Sequence, residues 1–346
     1  MIKTNNIQLK TLISNKKNNK QFITDIVFTM LVFFVMIIII INPKKYTSGT
    51  IQGLKLFFYS VLPGLFPFMI LTKIMTEIGI VEKIFSKFDK FSLKLFGTTG
   101  ISLYVLFMSI ISGYPIGAKI ISDLYNKKII SEKDAKKMSL FCTTSGPIFI
   151  IGTIGTSMFS SYKIGVTIYF SHILSSILLG IIFNFFSKTK ETNNKKIISI
   201  NCEKHKSIIS NAISETINSL FIVGAYITIF FLIGEVLDYL KIFSLLENII
   251  IKLFKLLKID TKYIKGIIYG ILEVTRGAKT LSVFSENISV IFVTGILSFS
   301  GLSIIFQSMA FLRQAKIKTR TFIFYKFVHS LFSMFLCCII LLISSI

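Results

Sequence analysis

Apolar residues in this chain come in runs too long for strands and too uniformly apolar for one face of a soluble helix. Residues 26–41 hold Thr29 as their one polar member, close to the roughly 20 residues that cross hydrocarbon. After this first span the same order of segments occurs twice. A long apolar segment opens each half, at 54–78 and at 217–237. An amphipathic stretch follows. In the first half Lys83, Lys87, Lys90 and Lys94 lie at helical spacing among Ile84, Phe85, Phe88, Phe91, Leu93 and Leu95. In the second, Lys241, Ser244, Asn248, Lys252, Lys255 and Lys258 make a polar stripe among Ile, Leu and Phe. Both patterns predict helices lying in the membrane interface with their lysines toward headgroups. Two interrupted apolar segments come next. The first pair is 101–121, cut by Gly113-Tyr114-Pro115, and 264–284, cut at Glu273 and Arg276. The second pair is 138–159, cut at 142–147, and 288–312, cut at 298–301. Each half closes on a span read as clean, 164–186 and 322–343.

The duplication holds at the level of residues. Tyr114-Pro115-Ile116-Gly117-Ala118-Lys119 returns as Val274-Thr275-Arg276-Gly277-Ala278-Lys279, Ser145-Gly146-Pro147 as Ser300-Gly301-Leu302, and His172 as His329. The separations are 160, 155 and 157 residues. The fold class expected is an all-α polytopic membrane protein with internal duplication, broken or re-entrant helices and interfacial amphipathic helices. The domain reading is a basic tail and first span over 1–53, a first repeat over 54–186, a Lys- and Asn-rich linker over 187–210 and a second repeat over 211–346. An odd number of crossings per half makes the repeats inverted and an even number makes them parallel; both remain open at this level.

The interruptions are the candidate chemistry. An intact helix satisfies its own backbone, whereas a break frees amides and carbonyls that lipid cannot serve. Proline removes a donor and glycine lets the chain leave helical geometry. Such groups must face protein, water or a ligand. Small hydroxyls flank each break: Ser112 at the first, Thr143, Thr144 and Ser145 at the second, Thr275 at the third, Ser298 and Ser300 at the fourth. The candidate solute-binding set is Ser112, Gly113, Tyr114, Pro115, Lys119, Thr144, Ser145, Gly146, Glu273, Arg276, Lys279, Ser300, Gly301 and Gln307. Glu273 and Arg276, three apart, could pair on one helix face. Lys119 and Lys279 share a repeat position and could reach a substrate anion or snorkel to headgroups. The competing reading of every such motif is close helix packing by small residues.

Composition supports the membrane class and removes others. The chain is 53% hydrophobic with mean hydropathy +0.74 and net charge +23 over 346 residues. The lysines sit between apolar runs, so anionic headgroups of the lipid bilayer are the expected partner and nucleic acid is not. Cys142, Cys202, Cys337 and Cys338 form no CxxC pair, and the histidines lack metal spacing to them; no metal or cofactor is expected. No Walker loop, GxSxG elbow or HExxH is present, so no enzyme is expected. The basic lead before residue 26 reads as a cytoplasmic amino end and not a cleavable signal.

Three strings stand in one order and spacing: Leu62-Pro63-Gly64-Leu65-Phe66-Pro67-Phe68, Ser112-Gly113-Tyr114-Pro115-Ile116-Gly117-Ala118-Lys119 and Thr144-Ser145-Gly146-Pro147-Ile148-Phe149. From about Leu54 to the end the chain resembles the YlbJ family of sporulation integral membrane proteins, which carry the nucleoside-recognition, or Gate, domain. The resemblance implies the cell membrane of a spore-forming bacterium, a role in spore cortex formation, and kinship with nucleoside-transporter architecture. Where family members often have Asn near the second break this chain has Thr143-Thr144-Ser145-Gly146, and a hydroxyl reads a solute differently from a carboxamide. The expected function is binding or transport of a small polar solute, such as a nucleoside, between the repeats. The alternative is a scaffold that organises other sporulation membrane proteins.

Overall fold

The structure, a computed structural model, describes residues 2–186, 205–256, 261–284 and 286–343, and the side chains of all of these except 2–21, 205–207 and 253–256. Most of the predicted linker, with Cys202, lies outside the described residues, as do the side chains of Lys255 and Lys258. Among the described residues there is no strand. The helices are α1 (Ile2–Ile41), α2 (Pro43–Leu56), α3 (Leu62–Ile78), α4 (Ile80–Phe85), α5 (Asp89–Phe96), α6 (Ile101–Ser112), α7 (Ile116–Asn126), α8 (Glu132–Phe141), a π-helical segment Ile148–Met158, α9 (Tyr162–Phe186), α10 (His205–Tyr239), α11 (Ile242–Leu256), α12 (Ile264–Leu272), α13 (Val274–Leu281), α14 (Asn287–Phe299), α15 (Gly301–Leu312) and α16 (Thr319–Ile343).

The chain is a multi-pass membrane protein. Six stretches among the described residues are long and apolar enough to cross a bilayer: Phe22–Ile41, Pro43–Ile78, Tyr162–Phe186, Ile208–Tyr239, Asn287–Leu312 and Thr319–Ile343. The order of elements after α1 occurs twice: long helix, amphipathic helix, helix pair, interrupted span, closing helix. The amphipathic segment Ile80–Phe96 stands at 80° to α6, as a helix lying across the bundle axis does, with Lys83, Lys87, Lys90 and Lys94 exposed.

α6 and α7 form one hairpin and α12 and α13 a second. Glycine brings the second pair into backbone contact: a Cβ on Gly277 would lie 2.5 Å from the Gly270 nitrogen and 2.7 Å from the Gly266 carbonyl. The bases of the hairpins sit at opposite ends of the α14–α15 span. At the first base, Ser122 Oγ and Asn126 Nδ2 donate to Gln314 Oε1, just past α15, at 3.1 and 2.7 Å. At the second, Lys262 donates to Glu286 at 2.6 Å and Tyr263 bonds the same carboxylate, just before α14. The two hairpins therefore approach the middle of one span from its two ends.

Each hairpin packs on the other half of the chain. Ile116, Ile120 and Leu124 of the first share a core with Ile305, Met309, Leu312 and Phe322. Val274, Ala278 and Leu281 of the second share one with Ile150, Ile154 and Ile168. One expectation is corrected here. The closing span read as clean carries Lys326 and His329, and both are buried, at 1% and 0% exposure.

Candidate functional site

The four interruptions have four geometries. Gly113 takes φ 85°, ψ −168° between α6 and α7, a region that residues with a Cβ avoid. Residues 143–146 run without helix between α8 and the π-helical segment. Glu273 alone is extended, at φ −145°, ψ 117°. Ser300 and Gly301 take positive φ, 76° and 55°, between α14 and α15.

These interruptions meet. A Cβ on Gly113 would lie 2.5 Å from the Gly146 nitrogen, so the first two breaks touch backbone to backbone. Ser109 Oγ joins them further, accepting from the Thr144 N–H at 2.9 Å and bonding Thr144 Oγ1 at 3.0 Å. Tyr114, from the first break, shares a 2.7 Å hydrogen bond with Ser300 of the fourth. The third packs on the fourth: a Cβ on Gly301 would lie 3.0 Å from the Gly270 carbonyl and 3.1 Å from Val274.

Two histidines tie the second and fourth breaks to the closing helices. His172 Nε2 accepts the Ser145 N–H at 2.9 Å, which places the ring proton on Nδ1, facing Ser298 Oγ at 2.8 Å. His329 Nε2 lies 3.0 Å from the His172 carbonyl and must donate to it, so Nδ1 carries the lone pair. That Nδ1 is buried and meets no partner among the described residues. Beside it, one turn along α16, Lys326 Nζ donates to Tyr114 OH at 3.0 Å and to the Thr143 carbonyl. It lies 4.8 Å from the Tyr114 ring centre and 5.5 Å from that of Phe322. Both hydrogen-bond acceptors of this buried lysine are neutral, and among the described residues no carboxylate pairs with it.

Of the residues singled out from the sequence, Ser112, Gly113, Tyr114, Pro115, Thr144, Ser145, Gly146, Ser300 and Gly301 lie at this junction. Ser112 Oγ is buried and unpartnered among the described residues. Glu273 is at its edge, with its carboxylate turned to its own helix: it accepts the N–H groups of Thr275 and Arg276 at 3.0 and 2.8 Å. The expected Glu273–Arg276 side-chain pair does not form. The Arg276 guanidinium instead pairs with Asp238 and stacks 4.3 Å from the Tyr269 ring centre. Lys119 pairs with Asp123 at 2.6 Å in a separate ion cluster, and Lys279 is exposed. Gln307 is buried and donates to Ser303, one turn back on its own helix, at 3.1 Å.

Sequence reasoning missed Lys326. The available signal was a lysine and a histidine three apart in an otherwise apolar closing span, since ionisable residues at membrane depth usually face a partner or cavity.

Comparison with known proteins bears out the resemblance read from the residues. Residues 58–162 match the family model described as Gate, nucleoside recognition. The chain is 24% identical over 320 residues to the sporulation integral membrane protein YlbJ of Bacillus subtilis (strain 168), covering 87% of this chain and 78% of that protein. No solved structure matches. The chain is thus an integral membrane protein similar to YlbJ, and its match to the Gate model lies in its first half.

Proposed function

We propose that this protein binds a small polar solute bearing an anionic group where the four breaks meet, and carries it across the membrane. Lys326 is the observation on which this rests. A lysine taken out of water needs strong compensation, yet here it has a phenol and a peptide carbonyl. A carboxylate or phosphate oxygen in place of the Thr143 carbonyl converts a neutral acceptor into a charged one, and such bonds are roughly twice as strong. The surroundings favour the same sign. α15 begins at the junction with no side-chain cap, as does the π-helical segment after Pro147, and helix amino ends attract anions. Glu273, the carboxylate at the edge of the junction, is spent on the amino end of α13. Hydroxyls of Thr144, Ser145, Ser298 and Ser300, with the open Nδ1 of His329, serve the donor and acceptor edges of the rest of the solute. The Gate description points to a nucleoside-like shape; a nucleotide or other small acid adds the charge that Lys326 calls for. Likeness to YlbJ, a sporulation integral membrane protein, supports placing this action in sporulation, with cortex formation as the proposed step it serves.

The test uses matched solutes with the full chain in liposomes: uridine against uridine 5′-monophosphate, and glucose against glucuronate. Binding and uptake are expected for an anionic member, with loss of both in Lys326→Met. Uptake of the neutral members alone, or binding of none of the four, overturns the proposal.

A further inference from the structure

We infer that two ion-pair clusters set 23 residues apart along α10 are latches, one for each hairpin, and that release of one or the other decides from which membrane face the central site is reached. This rests on the solute-site reading above.

α10 packs along α2 and α3, α3 packs on both helices of the first hairpin, and Phe230 of α10 shares a core with Ile264, Ile268 and Leu272 of the second. Within the first half of α10, Glu215 bonds Lys73 of α3 at 2.6 Å and lies 3.8 Å from Lys119 of α7. Lys73 is also 3.8 Å from Asp123 of α7, and Lys127, just past α7, bonds Glu77 of α3 at 2.8 Å. Three cations and three carboxylates thus bind the first hairpin to α3 and α10 with no charge left over. Near the other end of α10, Arg276 of α13 pairs with Asp238 and reaches Glu235 at 4.0 Å, while Tyr269 of α12 donates to Asp238 at 3.2 Å. Glu215 and Asp238 are 23 residues apart, about 35 Å along a helix. That exceeds the roughly 30 Å of a hydrocarbon core, so the clusters stand toward opposite faces.

Their exposure suits a contact that opens. A fully buried pair is costly to separate, because each charge is left without solvent. A fully exposed pair holds almost nothing. In the first cluster Glu215 is 48% exposed against 9% for Lys73 and 18% for Lys119, and in the second Arg276 and Asp238 are 29% and 24% exposed, so water can reach Glu215 in the first and both partners in the second as they withdraw. Each hairpin tip also bears on the central breaks, through Gly113 on Gly146 and Val274 on Gly301. Since the hairpin bases lie at opposite ends of the α14–α15 span, withdrawal of one uncovers Ser300 from one face and withdrawal of the other uncovers it from the opposite face.

The experiment places a single thiol, Ser300→Cys, in the full chain with Cys142, Cys202, Cys337 and Cys338 changed to Ala. The protein is held in vesicles of one orientation and labelled from each side with a membrane-impermeant thiol reagent. Glu215→Gln is expected to raise labelling from one face roughly tenfold, and Arg276→Gln to raise it from the opposite face by a similar factor. Should Ser300→Cys fail to fold, the native Cys142, buried under Gly117, is kept as the reporter instead. Faster labelling from the same face in both variants, or no change in either, overturns the latches. Binding of uridine 5′-monophosphate and of glucuronate to the unmutated chain is measured alongside: absence of both overturns the solute site, whereas faster labelling from the same face in both variants overturns the latches alone.

Discussion

Gly113→Ala tests whether the first two breaks truly bear on each other. Two costs act at this one atom. The backbone at φ 85°, ψ −168° is reached comfortably only by glycine, and holding another residue there costs about 1–3 kcal/mol. The new methyl would also sit 2.5 Å from the Gly146 nitrogen and 3.1 Å from its Cα. Those are main-chain atoms, so the relief available to a flexible side chain is denied. Moving them strains the bonds from Thr144 to Ser109, and such overpacking typically costs about 1–3 kcal/mol. Together the two costs reach about 2–6 kcal/mol, a large share of a stability of about 5–15 kcal/mol. The assay is thermal unfolding of the purified full chain in detergent, followed by circular dichroism, with Gly64→Ala as the control. Nothing lies within 4 Å of a Cβ on Gly64, which is helical, so that change is expected to leave the midpoint unmoved or slightly raised. Equal midpoints for Gly113→Ala and Gly64→Ala would refute the reasoning, because strain and contact would then both be absent.

Two further outcomes follow from the second hairpin. Glu273→Ala removes the acceptor for the Thr275 and Arg276 amides and is expected to cost about 1 kcal/mol, as loss of a helix cap does. Glu273→Gln, which keeps one of the two oxygens, should cost less, and equal midpoints for the two variants in the same unfolding assay would contradict the capping role. Gly277→Ala pushes α13 off the Gly266 and Gly270 backbone, at about 1–3 kcal/mol. Gly152→Ala, where a Cβ meets open space, is its neutral control, and a Gly277→Ala midpoint no lower than that control would remove the close packing.

Hydropathy and punctuation were enough to read the elements. Lipid offers the backbone no hydrogen bonds, so an apolar run must be helix, and a glycine, proline or polar residue inside it must mark a departure. The interruptions at Gly113, 143–146, Glu273 and Ser300–Gly301 stand where that rule puts them. The amphipathic segment Ile80–Phe96 turned across the bundle for the same reason: its lysines need water and its phenylalanines do not. Side-chain partnership obeys no such local rule. Arg276 stands three residues from Glu273, yet its guanidinium goes to Asp238, 38 residues away, because α10 lies beside the hairpin. Lys119 and Lys279 share one repeat position, but only the first faces the carboxylates of α7 and α10; the second is exposed. Lys326 hardly alters the hydropathy of its span, and acquires meaning only beside Tyr114 and Thr143, 212 and 183 residues away. Which helices become neighbours is a long-range property of packing, and with it goes the chemistry at the centre.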